Sequence, residues 1–191
     1  NTIISGKNNT LTTANESGVI GEDHTLTTSS NAFITGKNHT LQGGASNVIF
    51  GEENTSTNDN KNIVSGYKNT SSGNKRGSVN GILNVVTNTT NSVVTGASNK
   101  VVDVSSVSIY GSQNDISGVI TDSIMGCILN KIHDVVSSAL FGKQQDVSGS
   151  AGIISGGEGN MILTSTNTSV FGKSNVVESG NKSTVLGESN V

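Results

Sequence analysis

"NAFITGKNHTLQGGASNVIFGEENT", residues 31 to 55, states nearly the same phrase twice: F-I-T-G-K-N-H at 33–39 and V-I-F-G-E-E-N at 48–54, fifteen residues on. Self-similarity at a fixed period marks a repeat architecture. The phrase extends along the whole chain. Its glycine recurs as Gly6, Gly21, Gly36, Gly51, Gly66, Gly81, Gly96, Gly111, Gly126, Gly142, Gly156, Gly172 and Gly187, spaced by fifteen eight times and then by 16, 14, 16 and 15. Two places before each glycine stands an aliphatic residue: Ile4, Val19, Ile34, Ile49, Val64, Val79, Val94, Ile109, Ile124, Leu140, Ile154, Val170 or Val185. All but Leu140 are β-branched, the side-chain type that suits a pleated, half-buried surface.

Five places after the glycine a second apolar column runs through Leu11, Leu26, Leu41, Val86, Val101, Ile116, Val147, Met161 and Val177. Each repeat is therefore expected to hold two short strands and two turns, the first strand ending at the glycine. No stretch shows the three-and-four spacing of a helix. One such repeat cannot form an independent sheet, but repeats stacked at roughly 4.8 Å would build a rod of thirteen coils about 60 Å long. Stacking also accounts for the alternation Lys7, Glu22, Lys37, Glu52 just after the glycine, because opposite charges across adjacent strands attract. Asn9, Asn54, Asn69, Asn84, Asn99, Asn114, Asn175 and Asn190, three places after it, are expected to supply left-handed turn backbone and amides that bond along the stack.

Composition excludes several alternatives. The 191 residues are 31% apolar and 3% aromatic, with no proline or tryptophan, too little for a thick globular core. Net charge is -3 with no basic run, so neither nucleic acid nor an anionic membrane is an expected partner. No apolar run approaches the roughly 20 residues of a membrane-spanning helix, and no signal peptide opens the sequence. Cys127 is a single cysteine, which rules out an internal disulfide.

If the aliphatic residue before the glycine faces inward, its neighbours face outward. Those neighbours are often large: Ile3, Ile20, Phe33, Val48, Phe50, Ile63, Val93, Tyr110, Met125, Phe141, Ile153, Phe171 and Leu186. A continuous apolar stripe calls for cover, and the same stripe on identical chains about a closed axis is the economical one.

The recurring V-x-G-x-S-N, as in "NSVVTGASN" at 91–99, "TSVFGKSN" at 168–175 and "STVLGESN" at 183–190, resembles the repeat of the YadA-like head domains of trimeric autotransporter adhesins. The resemblance implies an all-β left-handed parallel β-roll over residues 1–191, in about 13 coils of 14 to 16 residues with two short strands each. It further implies a homotrimer held at a Gram-negative cell surface by a stalk and outer-membrane anchor outside this head fragment, which itself inserts in no membrane. Related heads bind host matrix proteins such as collagen or fibronectin, or CEACAM-type receptors. The chain departs from that family by carrying Val, Ile or Leu where the family has Ala at the middle strand position, so a fatter interior is expected.

No carboxylate pair, phosphate loop or nucleophile elbow appears, so no catalytic residue, enzyme activity or cofactor is expected. His24 and His39 share the Asn slot in consecutive repeats; stacked rings follow, but two histidines without a thiolate or carboxylate make a poor metal site. His133 stands apart, Cys127 has no histidine at a matching position to activate it, and "SGGEGN" at 155–160 lacks the Asp of calcium-binding glycine repeats. Sequons such as Asn69-Thr70-Ser71 arise by chance in so Asn-, Ser- and Thr-rich a chain.

The repeat fails at Ser56 and Ser71, which replace the second apolar residue in two successive coils. A wall that loses its inward residue twice is expected to bulge or present a loop. Tyr67, Lys68, Lys75 and Arg76 gather there, and Tyr and Arg are enriched at interface hot spots, so these four form the candidate receptor-binding site. Lys131 makes a similar replacement, repaired if Ile132 slips into its place through a bulge.

Three functional classes follow. An adhesin presents lateral faces of a rigid rod. An ice-binding solenoid needs a regular Thr-x-Thr array on one face, which Thr10, Thr12, Thr25, Thr27 and Thr40 begin and later coils do not continue. A carbohydrate-active β-helix needs clustered carboxylates, and none cluster here. Adhesion is the reading the sequence favours.

Overall fold

A computed structural model describes residues 2–103, 105–110, 115–117, 121–126, 131–132, 139–140, 143, 146–149, 151–164 and 166–191. Gly111, Gly142, Asn114, Cys127, His133 and Phe141 lie outside these. The chain is all-β, a solenoid of about ten turns of parallel strands, with no helix among the described residues. It divides into two compact units, Asn1–Ala97 and Ser98–Val191.

In the first unit, β1 (Ile3–Lys7), β3 (Gly18–Glu22), β5 (Phe33–Lys37), β7 (Val48–Glu52), β9 (Ile63–Tyr67), β11 (Ser78–Ile82) and β13 (Val93–Ala97) form one parallel sheet in chain order. The second sheet interleaves with it in sequence: β2 (Thr10–Thr12), β4 (Thr25–Thr27), β6 (Thr40–Gln42), β8 (Thr55–Thr57), β10 (Thr70–Ser72) and β12 (Val85–Thr87). Every strand pairs with its copy fifteen residues on, so that Ile34 lies between Val19 and Ile49 and Leu26 between Leu11 and Leu41. Val19, Ile34, Ile49, Val64 and Val94 from the first sheet and Leu26, Leu41 and Val86 from the second are buried and make the thin core. At about 1.5–3 kcal/mol for each fully buried aliphatic side chain, this column carries most of the hydrophobic stabilisation of each turn.

The glycine lies inside the first strand, one residue before its end. Gly36 has φ +127°, and a Cβ there would overlap the Gly51 carbonyl oxygen of the next turn and crowd His39 Nε2. Both the backbone conformation and the close approach of neighbouring turns thus require glycine.

The corners use left-handed residues at other places than expected. The residue two after the glycine has positive φ (Asn8, Asp23, Asn38, Glu53, Lys68, Leu83), as do two later corner positions, for example Thr28 and Arg76. Among the described residues the Asn three after the glycine does not; Asn54, Asn69, Asn84, Asn99 and Asn175 are buried. Asn54 Oδ1 accepts the Asn69 N–H at 2.9 Å, and Asn54 Nδ2 donates to the Phe50 and Gly66 carbonyls at 3.0 and 2.9 Å. Asn69 repeats the pattern with Ser65, Gly81 and the Asn84 N–H. Backbone groups that a corner would leave orphaned are satisfied by this ladder, at a net gain of about 1 kcal/mol per bond.

The second unit keeps the plan with two shifts of register. Its strands are β14 (Lys100–Val102), β15 (Ser105–Ile109), β16 (Asp115–Ile116), β17 (Thr121–Met125), β18 (Lys131–Ile132), β19 (Ala139–Leu140), β20 (Asp146–Val147), β21 (Ile154–Glu158), β22 (Met161–Ile162), β23 (Ser169–Lys173), β24 (Val176–Val177) and β25 (Thr184–Glu188). Ile109 pairs with Met125, not Ile124, and Met125 with Leu140, so Gly126 falls one place short of the glycine column. Ile116 pairs with Ile132 and Ile132 with Val147, so Ile132 does take the place vacated at Lys131. The extra residue therefore lies between Ile116 and Met125, upstream of Lys131.

The second shift is at Gly156. Gly157 is the one that pairs with Gly172 and has φ +111°, which restores fifteen-residue spacing on its C-terminal side. Ser155 accordingly replaces Ile154 in the inward column, Ile162 is buried in place of Met161, and Ile153 is buried where outward exposure was expected. Gly156 is then free to sit beneath the Phe171 ring, where any Cβ would touch it.

Candidate functional site

The two serines do not break the wall. Leu41, Ser56, Ser71 and Val86 stay in register across β6, β8, β10 and β12, and both serines are buried. The reason is a compensating change across the turn: Asp59 and Asn74 replace the small Ser29 and Gly44 of preceding turns. Ser56 Oγ donates to Asp59 Oδ2 at 2.6 Å, and Asp59 Oδ1 accepts the Asn74 N–H at 2.8 Å. Asn74 Nδ2 donates to Ser71 Oγ at 2.7 Å and to the Val86 carbonyl, while its Oδ1 accepts from Thr89. Burial pushes the Asp59 carboxyl up from its ordinary value, with the Ser56 and Ser71 hydroxyls pulling the other way. A fully connected polar network thus stands where the column elsewhere has aliphatic side chains.

The four candidate receptor residues separate into two places. Lys68 Nζ lies 4.9 Å from the Tyr67 ring centroid and 3.2 Å from Glu53 Oε2, and these neighbours, Tyr67 first, raise its pKa. Lys75 and Arg76 instead line a cleft of about 310 Å³ with Asn60 and Lys61, which the sequence reading had not singled out. Lys7, Glu22, Lys37 and Glu52 are in register and exposed, as expected from their alternation.

His24 and His39 are fully buried rather than at open turns, with rings stacked at 5.0 Å and 1° apart in plane. His24 Nδ1 accepts the His39 N–H at 3.2 Å, and His39 Nδ1 accepts the Asn54 N–H at 3.1 Å. With Nδ1 accepting, Nε2 must carry the proton, and it donates to the Ile20 and Thr35 carbonyls at 3.2 and 3.1 Å. Each imidazole therefore does the work of an Asn side chain. Burial, then the neighbouring His24, hold His39 below its ordinary pKa. Among the described residues no three His, Cys, Asp or Glu side chains converge on a metal-sized site.

The second sheet of the first unit carries an array longer than the sequence reading allowed. Its three-residue strands bury the middle side chain and turn the outer two outward. One outward column reads Thr10, Thr25, Thr40, Thr55, Thr70 and then Val85; the other reads Thr12, Thr27, Gln42, Thr57, Ser72, Thr87. Nine threonines stand in two straight columns without a charge among them. Thr-x-Thr is broken in sequence at Gln42 and Ser72, but the register closes those gaps. In the second unit the corresponding register column is instead Lys100, Asp115, Lys131 and Asp146, alternating in sign.

Across the turn, the first sheet exposes the expected apolar residues, including Ile3 (73%), Phe33 (45%), Phe50 (42%) and Ile63 (42%), while Val48 is half-buried. Gly18 leaves room for the Phe33 ring, which any side chain there would touch.

No protein-family model matches the chain, and no curated protein sequence matches it.

Proposed function

We propose that the chain is an ice-binding β-solenoid that engages ice through the threonine columns of its first unit. The observation that carries this reading is the register of β2, β4, β6, β8, β10 and β12, which sets nine threonines in two rows. Parallel stacking spaces them by about 4.8 Å along each column, and the strand places the columns about 6.6 Å apart, close to the oxygen repeats of ice surface planes. Threonine suits the task because its branched side chain is stiff in a strand, so the array is ordered before water meets it. Its methyl discourages liquid hydration while its hydroxyl fixes a water molecule in place. The test is inhibition of ice recrystallisation by the purified protein and by Thr40→Lys, in the middle of the array. The wild type should suppress crystal coarsening and the variant should lose most of that effect with an unchanged circular dichroism spectrum. Equal activity of the two would remove the proposal.

A second reading is favoured by the apolar face of the first sheet. In that reading three chains pack their Ile3, Phe33, Phe50 and Ile63 stripes together as a left-handed β-roll trimer of thirteen coils, resembling YadA-like adhesin heads at a Gram-negative surface. Tyr67, Lys68, Lys75 and Arg76 would then meet a host receptor or matrix protein. Its support is the V-x-G-x-S-N repeat and the exposed stripe. A solution mass of one subunit at micromolar concentration would end it.

A further inference from the structure

We infer that the cleft formed by Asn60, Lys61, Lys75 and Arg76 is a binding site for an acidic oligosaccharide, one carrying carboxylate or sulfate groups. The inference is independent of the ice-binding face and of the trimer.

The cleft lies at one corner of two successive turns, with Lys75 directly paired to Asn60 and Arg76 in the same corner position as Lys61. Three cations thus stand within a strand spacing or two of one another, a like-charge arrangement that destabilises unless an anion relieves it. Among the described residues none of the three cations has a carboxylate within ion-pair distance, and the turns on either side present Ala45-Ser46 and Thr90-Asn91 at this corner. The nearest acid in sequence, Asp59, points inward with its carboxylate bound to Ser56 and to the Asn74 N–H.

The corner is also preformed. Lys61 and Arg76 hold left-handed backbone at φ 58° and 56°, fixed by N–H bonds to the Ala45 and Asn60 carbonyls at 2.9 Å, so the side chains diverge from a rigid base. Preorganisation of this kind lowers the entropic cost of binding. A volume near 310 Å³ is at the small end of ligand pockets and accommodates one or two sugar rings. The lining is Asn60 and the three cations, with no aromatic or large aliphatic anchor among them, which suits hydroxyl-rich sugar better than a peptide, whose docking depends on apolar anchors. Lysine and arginine then fix the acidic groups as charge-assisted hydrogen bonds.

The test uses the whole chain, with amide shifts followed by NMR on addition of a galacturonate tetrasaccharide, a sulfated heparin-type tetrasaccharide, neutral maltotetraose, a tetraglutamate peptide and inorganic sulfate. Shifts should cluster at residues 60–61 and 75–76 for one or both acidic sugars, and affinity should fall as salt rises. Lys61→Asn, Lys75→Gln and Arg76→Asn, which respect the left-handed corners, should together weaken that binding about tenfold or more, with circular dichroism unchanged. Thr40→Lys should leave sugar binding intact, which separates this site from the ice face. Equal binding of maltotetraose, of tetraglutamate or of sulfate alone, shifts mapping elsewhere, or a triple variant that binds as the wild type does would each overturn the inference.

Discussion

Two buried ionisable side chains make opposite, separable contributions to stability. His39 is held below its ordinary pKa of 6.5 in the folded chain, so the unfolded chain binds the extra proton first. Its contribution is fully present above about pH 6.5 and is lost as pH falls through that value toward the lowered folded pKa. A urea midpoint measured from pH 7.5 to 5 should fall, and His39→Asn, which keeps the ladder bonds, should flatten the fall. Asp59 works the other way, because its folded pKa is raised: the cost of burying its carboxylate grows as pH rises through that value. Asn74 holds the equivalent place one turn later as an amide bonded to Ser71. Asp59→Asn should therefore stabilise the protein at pH 7 by about 1 kcal/mol, seen as a higher urea midpoint, since an amide meets Ser56 and the Asn74 N–H without a charge to desolvate. Neither role was visible in the sequence. A buried Asn ladder and an Asn-rich turn share one composition, and only the fold distinguishes an amide that bonds inward from one that lends its backbone to a corner.

At the level of strands and turns, the fifteen-residue period was legible because glycine and β-branched residues each answer to one backbone requirement. The register departs from that period where two residues compete for one column. At Gly156-Gly157 both neighbours are glycine, and the packing of Phe171 over Gly156 decides the register. That choice puts Ser155 in the inward column, buried and with no hydrogen-bond partner for Oγ among the described residues. Ser155→Val should raise stability by about 1–2 kcal/mol, by removing an unsatisfied hydroxyl and restoring the column's usual side chain. Thermal unfolding that leaves the midpoint unchanged or lowers it would show the register to be wrong there. Ser56 and Ser71 likewise suggest a weak wall only when considered alone; their partners three residues on, Asp59 and Asn74, change in step. Leu83 occupies a left-handed corner at φ 57° with its side chain half exposed, and Leu83→Asn should gain about 0.5–1 kcal/mol at the same thermal readout.

For the whole molecule, the same stacking that builds the core aligns whatever lies outside it. On the second sheet of the first unit the outcome is an uncharged threonine array, and on the first sheet an apolar stripe; the corresponding column of the second unit alternates lysine and aspartate. The array was half legible: five threonines announce it, and Gln42 and Ser72 hide its continuation from a reader looking for an unbroken Thr-x-Thr. The most direct measurement is ice-plane affinity, in which a single ice crystal is grown slowly in a solution of the fluorescently labelled protein. The account predicts label incorporated on defined crystal planes by the wild type and by Phe50→Lys on the other sheet, and rejected from the ice for Thr40→Lys. Rejection of the wild type, or incorporation of Thr40→Lys with loss of Phe50→Lys, would contradict it.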